Sequence, residues 1–589
     1  MRPWTRRRLL SGAAVIGGGL AGLALGPAAA LGAPGRPARP STLPTVSGED
    51  IRLTIGHAPF SVDGKPGHAI AVNGIVPGPL IWLREGQSVR LSVTNTLDED
   101  SSIHWHGLLL PFQFDGVPGV SFPGIKPGET FVYEFKVRQA GTDWYHSHSG
   151  LQEQMGHYGP IVIDPAEPDP VVSDREHVVV LSDYSFVHPH QIMRKLKAQP
   201  GYFNTQKQTL AGLLAGKDQP LKTRVEWGQM RMDPTDILDV TGSTYRYLIN
   251  GKGPGDNWTG LFEPGERVRL RFVNAGAMSV FNVRIPGLKM TVVQADGQNV
   301  QPVEVEEFQI SPAETYDVIV QPLEDRAYSL VAEAADRSGM GRATLAPRLG
   351  MSAPVPPLRE RPLATMKDMG MDHGSTAGMD HAAMGHAMPD PAMSAHDMSG
   401  GSMAMDMRDP RNAPSVKMGP GVQTISPSPF DRLGEPGQGL EGVGHRVLSY
   451  RDLRSLTPNP DPRAPSRALE IHLTGNMERF MWAFDGEAFG PIKAPIAFRR
   501  DERVRVTLIN DSMMAHPIHL HGHFFEVVTG HPGQHPRKHT VNVLPGAKVS
   551  FDLTADEPGD WAFHCHMLYH MHAGMFNVVT VRPLDEVPA

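Results

Sequence analysis

Residues 500–512 read RDERVRVTLINDS, in which Val504, Val506 and Leu508 are separated by single polar positions. Successive side chains of an extended strand point to opposite faces, so apolar residues at every second position predict a half-buried strand. The same pattern stands at 264–276 (PGERVRLRFVNAG) and at 85–96 (EGQSVRLSVTNT, with Val89, Leu91 and Val93). A turn dipeptide precedes each copy: Asp485-Gly486, Asn250-Gly251 and Asn73-Gly74. A second set of related segments stands at 127–148 (PGETFVYEFKVRQAGTDWYHSH), 311–333 (SPAETYDVIVQPLEDRAYSLVAE) and 544–566 (LPGAKVSFDLTADEPGDWAFHCH). Self-similarity of this kind predicts one β-module used three times.

The copies differ in the residues just beyond each repeated strand. After the first repeated strand, module one carries His104-Trp105-His106-Gly107 and module three carries His516, His519 and His521, whereas module two runs from Met278 to Asn282 without histidine. At the second repeated position the outer modules carry His146-Ser147-His148 and His564-Cys565-His566, and module two has none. The middle module is therefore expected to keep the fold without metal ligands and to act as a spacer holding modules one and three together. Period-two geometry lets both members of a His-x-His pair point the same way. Four such pairs supply eight imidazoles, about what a cluster of three metals needs with room left for oxygen species.

The last motif, HCHMLYHMHAGM (564–575), places Cys565, the single cysteine of 589 residues, between two histidines, with His570 and Met575 downstream. A thiolate, two imidazoles and a weak axial thioether make a blue-copper electron-transfer site, and His516 can supply the second imidazole. In a strand Cys565 would face this metal while His564 and His566 face the cluster behind it. Zinc could use the imidazoles but has no use for an adjoining Cys/Met redox set. One cysteine also excludes an intrachain disulfide.

With these motifs the chain resembles the multicopper oxidases, and among them the copper-resistance protein A type. HWHGLLLPFQFDGVPGVSFPG, WYHSHSGLQEQ, INGKGPGDNW, PGLKMTVVQADGQNV, HPIHLHGHFF and HCHMLYHMHAGM carry the resemblance over nearly the whole mature chain. It implies an all-β fold of three cupredoxin-like Greek-key β-sandwich domains and four copper ions. His516, Cys565, His570 and Met575 would hold the type 1 copper and His104 and His519 the type 2 copper. His106, His146, His148, His521, His564 and His566 would hold the type 3 pair. It further implies that single electrons pass through Cys565 to the cluster, where four of them reduce O2 to two waters. Asp115 matches a carboxylate implicated in proton supply in such relatives, and a turn aspartate before Gly116 is the competing reading. Some cuprous-oxidising relatives carry an acid where this chain has Met571, which leaves a second proton route on that segment unsupported. A copper nitrite reductase, which also joins type 1 copper to such modules, lacks the four His-x-His pairs.

The remaining composition bounds partners and location. A formal charge of -8 and 20% charged residues give no basic footprint for nucleic acid. Thr5 to Leu10 (TRRRLL), an apolar Gly/Ala-rich run from Ala13 to Leu25 and small residues near Ala30 or Ala33 resemble a twin-arginine export signal over 1–35. The run is shorter than the ~20 apolar residues of a membrane anchor, so a periplasmic protein without stable membrane insertion is expected. The predicted organisation is 45–168 for domain 1, 172–348 for the ligand-free domain 2, 350–430 for a flexible Met/His-rich insert and 440–585 for domain 3.

Within that insert, 366–407 reads MKDMGMDHGSTAGMDHAAMGHAMPDPAMSAHDMSGGSMAMDM, where no strand or helix period persists. It is expected to be disordered and to collect further Cu(I), because thioether sulfur is soft and selects that ion. Met477, Met481, Met513 and Met514 are candidates for Cu(I) access to the type 1 site, or ordinary core methionines. The expected activity is oxidation of Cu(I) by O2 alongside other periplasmic copper-handling proteins. The alternatives are a laccase-like oxidase of phenols or other small reductants, and a protein that sequesters copper on the insert. His188, His190, His531, His535 and His539 are read as surface or loop residues without a role.

Overall fold

The computed structural model describes residues 43–371, 407–491 and 493–584. The expected signal segment and the methionine-rich stretch 372–406 lie outside the described residues. Three cupredoxin-like β-sandwiches follow one another along the chain, each made of two sheets. In the first, Ser88–Asn95 pairs parallel with Asp50–Val62 and antiparallel with Thr130–Lys136. Val268–Asn274 repeats this between Arg175–Ser185 and Thr315–Val320, as does Arg503–Asn510 between Arg467–Asn476 and Ala547–Thr554. The sequence repeat is thus a repeat of strand pairing.

Two local devices recur in all three modules. The turn dipeptides adopt consecutive left-handed conformations, with φ of +53° and +75° at Asn73-Gly74, +51° and +71° at Asn250-Gly251 and +55° and +79° at Asp485-Gly486. Asn, Asp and Gly tolerate this region best, and each first residue gains a bond by it. Asn73, Asn250 and Asp485 accept through Oδ1 from the amides of Thr54, Val180 and His472 at 2.8, 2.7 and 2.8 Å.

The second device is a buried asparagine ending each repeated strand. Asn95 donates to the carbonyls of Glu99 and Ile125, Asn274 to those of Ser279 and Ile310, and Asn510 to those of Met514 and Val543. Each clamp ties down the loop that enters the next strand of the facing sheet. In modules one and three those strands are His104–His106 and His516–Leu520, which carry the histidine motifs.

The middle copy departs from the half-buried expectation. Ser88–Asn95 exposes alternate residues, but Val268–Asn274 is buried throughout, including Arg269 and Arg271. Its polar face is covered, and ion pairs make that possible. Arg269 donates to Asp317 and Asp169, while Arg271 donates to Asp317, Glu176 and, across the module boundary, Thr142. A buried charge is tolerated only when paired and hydrogen-bonded.

The flanks of the expected flexible insert 350–430 are also packed. Arg359 pairs with Glu307 and Glu333, Asp368 with Arg432, and Ala413, Val416, Val422 and Ile425 form a small core. Their composition lacks a period because ion pairs and irregular backbone hold them, rather than a strand or helix face. No helix among the described residues is long and apolar enough to cross a membrane.

Removing Asp317 takes from two buried guanidinium groups the carboxylate they share, leaving Arg269 with Asp169 and Arg271 with Glu176. Asp317→Ala is expected to cost about 3–5 kcal/mol, read as an earlier unfolding transition in denaturant.

Candidate metal centres

The strand Gly559–Cys565, paired antiparallel with the strand His516–Leu520, and the short helix Leu568–His572 carry the first centre. Cys565 Sγ lies 3.6 Å from His516 Nδ1 and 3.7 Å from His570 Nδ1, and the two nitrogens are 3.2 Å apart. All three residues are fully buried. A triangle of that size leaves roughly 2 Å from its centre to each corner, the length of a transition-metal bond to imidazole or thiolate.

The outward nitrogens are already engaged. His516 Nε2 is 2.8 Å from Ser512 Oγ, and His570 Nε2 is 2.6 Å from Asp239 Oδ2, which turns both Nδ1 atoms toward the sulfur. Trp482 stacks on His570 with centroids 4.0 Å apart. Burial pushes the Cys565 thiol up and His570 down to about 3, so a cation at the centre of the triangle is what would favour the thiolate. Met575 is buried beside the site, its amide donating to the His570 carbonyl and its carbonyl accepting from the Cys565 amide.

His564 and His566, on either side of Cys565, belong to a different assembly. Three groups of imidazoles have their ligating atoms within 4.8 Å of one another: His104, His106 and His519; His106, His146 and His566; and His148, His521 and His564. Each group mixes modules one and three. Rings from the two modules stack, His104 on His521 and His106 on His519, with centroids 3.8 Å apart in both pairs.

Burial, with the neighbouring imidazoles adding to it, holds His106, His146, His148, His519, His521 and His566 well below the ordinary histidine range. That favours the neutral ring, which keeps a lone pair. The Nε2 atoms of His104, His148 and His519 and Nδ1 of His106 are buried without a partner. Unpaired buried nitrogens aimed into a shared space fit transition metals that take imidazole, so the residues present suit copper.

Asp115 sits at this assembly, 1% exposed. Its carboxylate is 2.8 Å from His521 Nδ1 and 3.3 Å from His104 Nδ1, and its carbonyl is 2.7 Å from His104 Nδ1. The tight turn needs Gly116: at φ +82° any Cβ would stand 1.8 Å from the Ile103 carbonyl oxygen. Glu153 does for His146 what Asp115 does for His521, with Oε2 2.7 Å from Nδ1.

Several site residues escaped the sequence reading. Glu153, Ser512 and Asp239 orient ligands, and Asp239 comes from the module expected to be only a spacer. His539, expected at the surface, is 1% exposed, with Nδ1 3.2 Å from His106 Nε2; His535 is buried too. His535 lies in a loop and His539 is the single residue between the strands Arg537–Lys538 and Thr540–Val543, where no period continues to announce burial.

Two cavities reach the centres. One of about 330 Å³ is lined by Met232, Met477 and Met513 with charged residues of both signs, Asp233, Asp236 and Glu478 beside Lys207 and Arg231. Met513 follows Ser512, and Asp236 feels the charge of Asp239, so this cavity adjoins the Cys565 site. Of the candidate access methionines, Met481 and Met514 are not in its wall. The other, of about 430 Å³, is bordered by Glu99, Asp100, Gln152, His188 and His190 and reaches His148.

Three family models described as multicopper oxidase match residues 54–168, 175–348 and 462–585. Over 587 residues the chain is 48% identical to the copper resistance protein A homolog of Pseudomonas syringae pv. tomato, covering 95% of this chain and 96% of that protein. It is 48% identical over 574 residues to copper resistance protein A of Escherichia coli, covering 91% and 93%. The fold matches that of Fet3p, a multicopper oxidase that functions in iron import, with a TM-score of 0.62 at 18% identity over 91% and 90% of the chains.

Asp239→Ala leaves His570 Nε2 without its acceptor and free to turn away from Cys565. Copper affinity of this site is expected to fall about 10–100-fold, read by titrating copper against the blue absorption; an unchanged titration would refute the orienting role.

Proposed function

We propose, on the premise that this chain belongs to the multicopper oxidase family, that it is a periplasmic copper-resistance oxidase that converts Cu(I) to Cu(II) with O2. As a member of that family it is an oxidoreductase that uses copper and O2. Four Cu(I), one O2 and four protons give four Cu(II) and two waters, so atoms and electrons balance.

His516, Cys565, His570 and Met575 would hold one copper, His104 and His519 a second, and His106, His146, His148, His521, His564 and His566 a pair. Bound copper supplies a one-electron couple at both centres, which lets electrons be taken singly and delivered to O2 in fours. The chain's own residues do the rest. The His564-Cys565-His566 peptide is a short covalent link between the centres. Asp115 and Glu153 hold protons at His521 Nδ1 and His146 Nδ1, with lone pairs left facing the cluster. The cavity at His148 gives O2 and protons a route from the surface past Asp100 and Glu99.

The methionine-lined cavity beside Asp239 carries the choice of Cu(I) as reductant. Thioether sulfur selects Cu(I), and three methionines share this one cavity. The methionines of 366–407 and the twin-arginine segment at Arg6 and Arg7 extend this reading to copper collection and export.

Leucine at Met232, Met477 and Met513 together keeps the volume and removes the sulfur. The KM for Cu(I) in oxygen uptake is expected to rise about 10-fold or more, equivalent to about 1.4 kcal/mol, with the blue absorption retained. A KM for Cu(I) that stays put, or uptake driven by a phenol far faster than by Cu(I), would favour a laccase-like oxidase. Unchanged uptake combined with lost copper binding on deleting 366–407 would favour sequestration.

A further inference from the structure

His539 touches the histidine assembly yet belongs to none of its metal-holding groups. Its Nδ1 is 3.2 Å from His106 Nε2 and 3.0 Å from Thr540 Oγ1. The other nitrogen of His106, Nδ1, is buried and unpartnered. An imidazole that holds a metal must present one bare nitrogen and carry its proton on the other. His106 therefore presents Nδ1 to the metals and donates from Nε2; His539 Nδ1 at 3.2 Å is nearer to it than Thr540 Oγ1 at 3.5 Å, and accepting there leaves Nδ1 of His539 bare and its proton on Nε2.

What holds His539 in that state comes from all three modules. Asp296, in module two, accepts through Oδ2 from the backbone amides of His539 and Thr540 at 3.2 and 3.1 Å, which leaves that oxygen 3.6 Å from His539 Nδ1, outside hydrogen-bond reach, and Asp296 is itself tied to buried Lys538 at 2.9 Å. Lys538 also reaches Glu314 of module two at 3.2 Å. On the opposite side, His539 Nε2 and both carboxylate oxygens of Asp143, in module one, are buried without partners. A Cβ placed on Gly107 would stand 2.3 Å from Asp143 Oδ1 and 2.9 Å from His539 Nε2, so both atoms border the space that the glycine leaves open. A donor facing a carboxylate across such a slot is satisfied by a bridging water or a small shift.

We propose that His539 is a positioning residue of the trinuclear site: its Nδ1 accepts from His106 Nε2 and so aims His106 Nδ1 at the metals, with Asp296 pinning its backbone and Asp143 facing its Nε2. The middle module then reaches both centres without contributing a ligand, through Asp239 at one and Asp296 at the other. The proposal rests on the reading that copper occupies the histidine assembly.

The test is copper analysis of the full-length protein with its optical and paramagnetic spectra, for the wild type and for His539→Leu, His539→Ala and His539→Asn. Asparagine keeps an acceptor near the place of Nδ1, whereas leucine fills the space and accepts nothing. Copper affinity of the assembly is expected to fall about 10-fold or more in His539→Leu and His539→Ala and to recover in His539→Asn. The blue absorption of the Cys565 site is expected to persist in all three and reports folding. Wild-type copper content and spectra in His539→Leu, or equal losses in the leucine and asparagine variants, would overturn the proposal. Wild-type protein with blue absorption but no further copper would instead overturn the occupancy reading beneath it.

Discussion

Imidazoles from two modules face one another in a buried space, and the rest of the structure serves that constraint. A buried nitrogen without a partner costs about 1–3 kcal/mol, and His104, His106, His148 and His519 each carry one. In His104, His106 and His519 the other ring nitrogen is already engaged, so turning the ring would only exchange one unpaired nitrogen for another. A cation that takes several lone pairs at once resolves the deficit. This is why the cluster sits between modules: two rigid sheets are docked face to face, and the rings converge from both.

The orientation of each ring is set one layer out, by groups of different strength and origin. A carboxylate holds His521, His146 and His570, through Asp115, Glu153 and Asp239 respectively. A hydroxyl serves at His516, a carbonyl at His519 and an imidazole at His106. A carboxylate raises the basicity of the ring it holds more than a hydroxyl does, so the two imidazoles beside Cys565 are electronically unequal. Two cavities with different linings lie beside the two centres, thioethers among charges of both signs at one and histidine and carboxylate at the other.

The module itself is built to deliver those rings. Buried asparagines at the ends of the repeated strands clamp the loops before His104–His106 and His516–Leu520, and Asn274 does the same before a strand with no histidine. The fold therefore does not depend on the ligands, and the middle copy shows what the scaffold becomes without them. Its strand Val268–Asn274 turns its arginines into buried ion pairs, and its loops supply Asp239 and Asp296 to sites whose ligands belong to its neighbours.

Local pattern alone carried much of this. Period-two alternation, the Asn-Gly and Asp-Gly turns and the spacing of the His-x-His pairs act over a few residues, so the three modules and the residues that gather at each centre were legible in the chain. Burial of the middle repeat was not, because Arg269 and Arg271 are hidden by partners from other strands and from another module. The orienting groups were invisible for the same reason: His570 meets Asp239, and His106 meets His539, across hundreds of residues with no common period to announce them. Sequence determined which side chains could bind metal; docking of the modules decided which nitrogen of each ring is free to do so, since that depends on where its second hydrogen bond comes from.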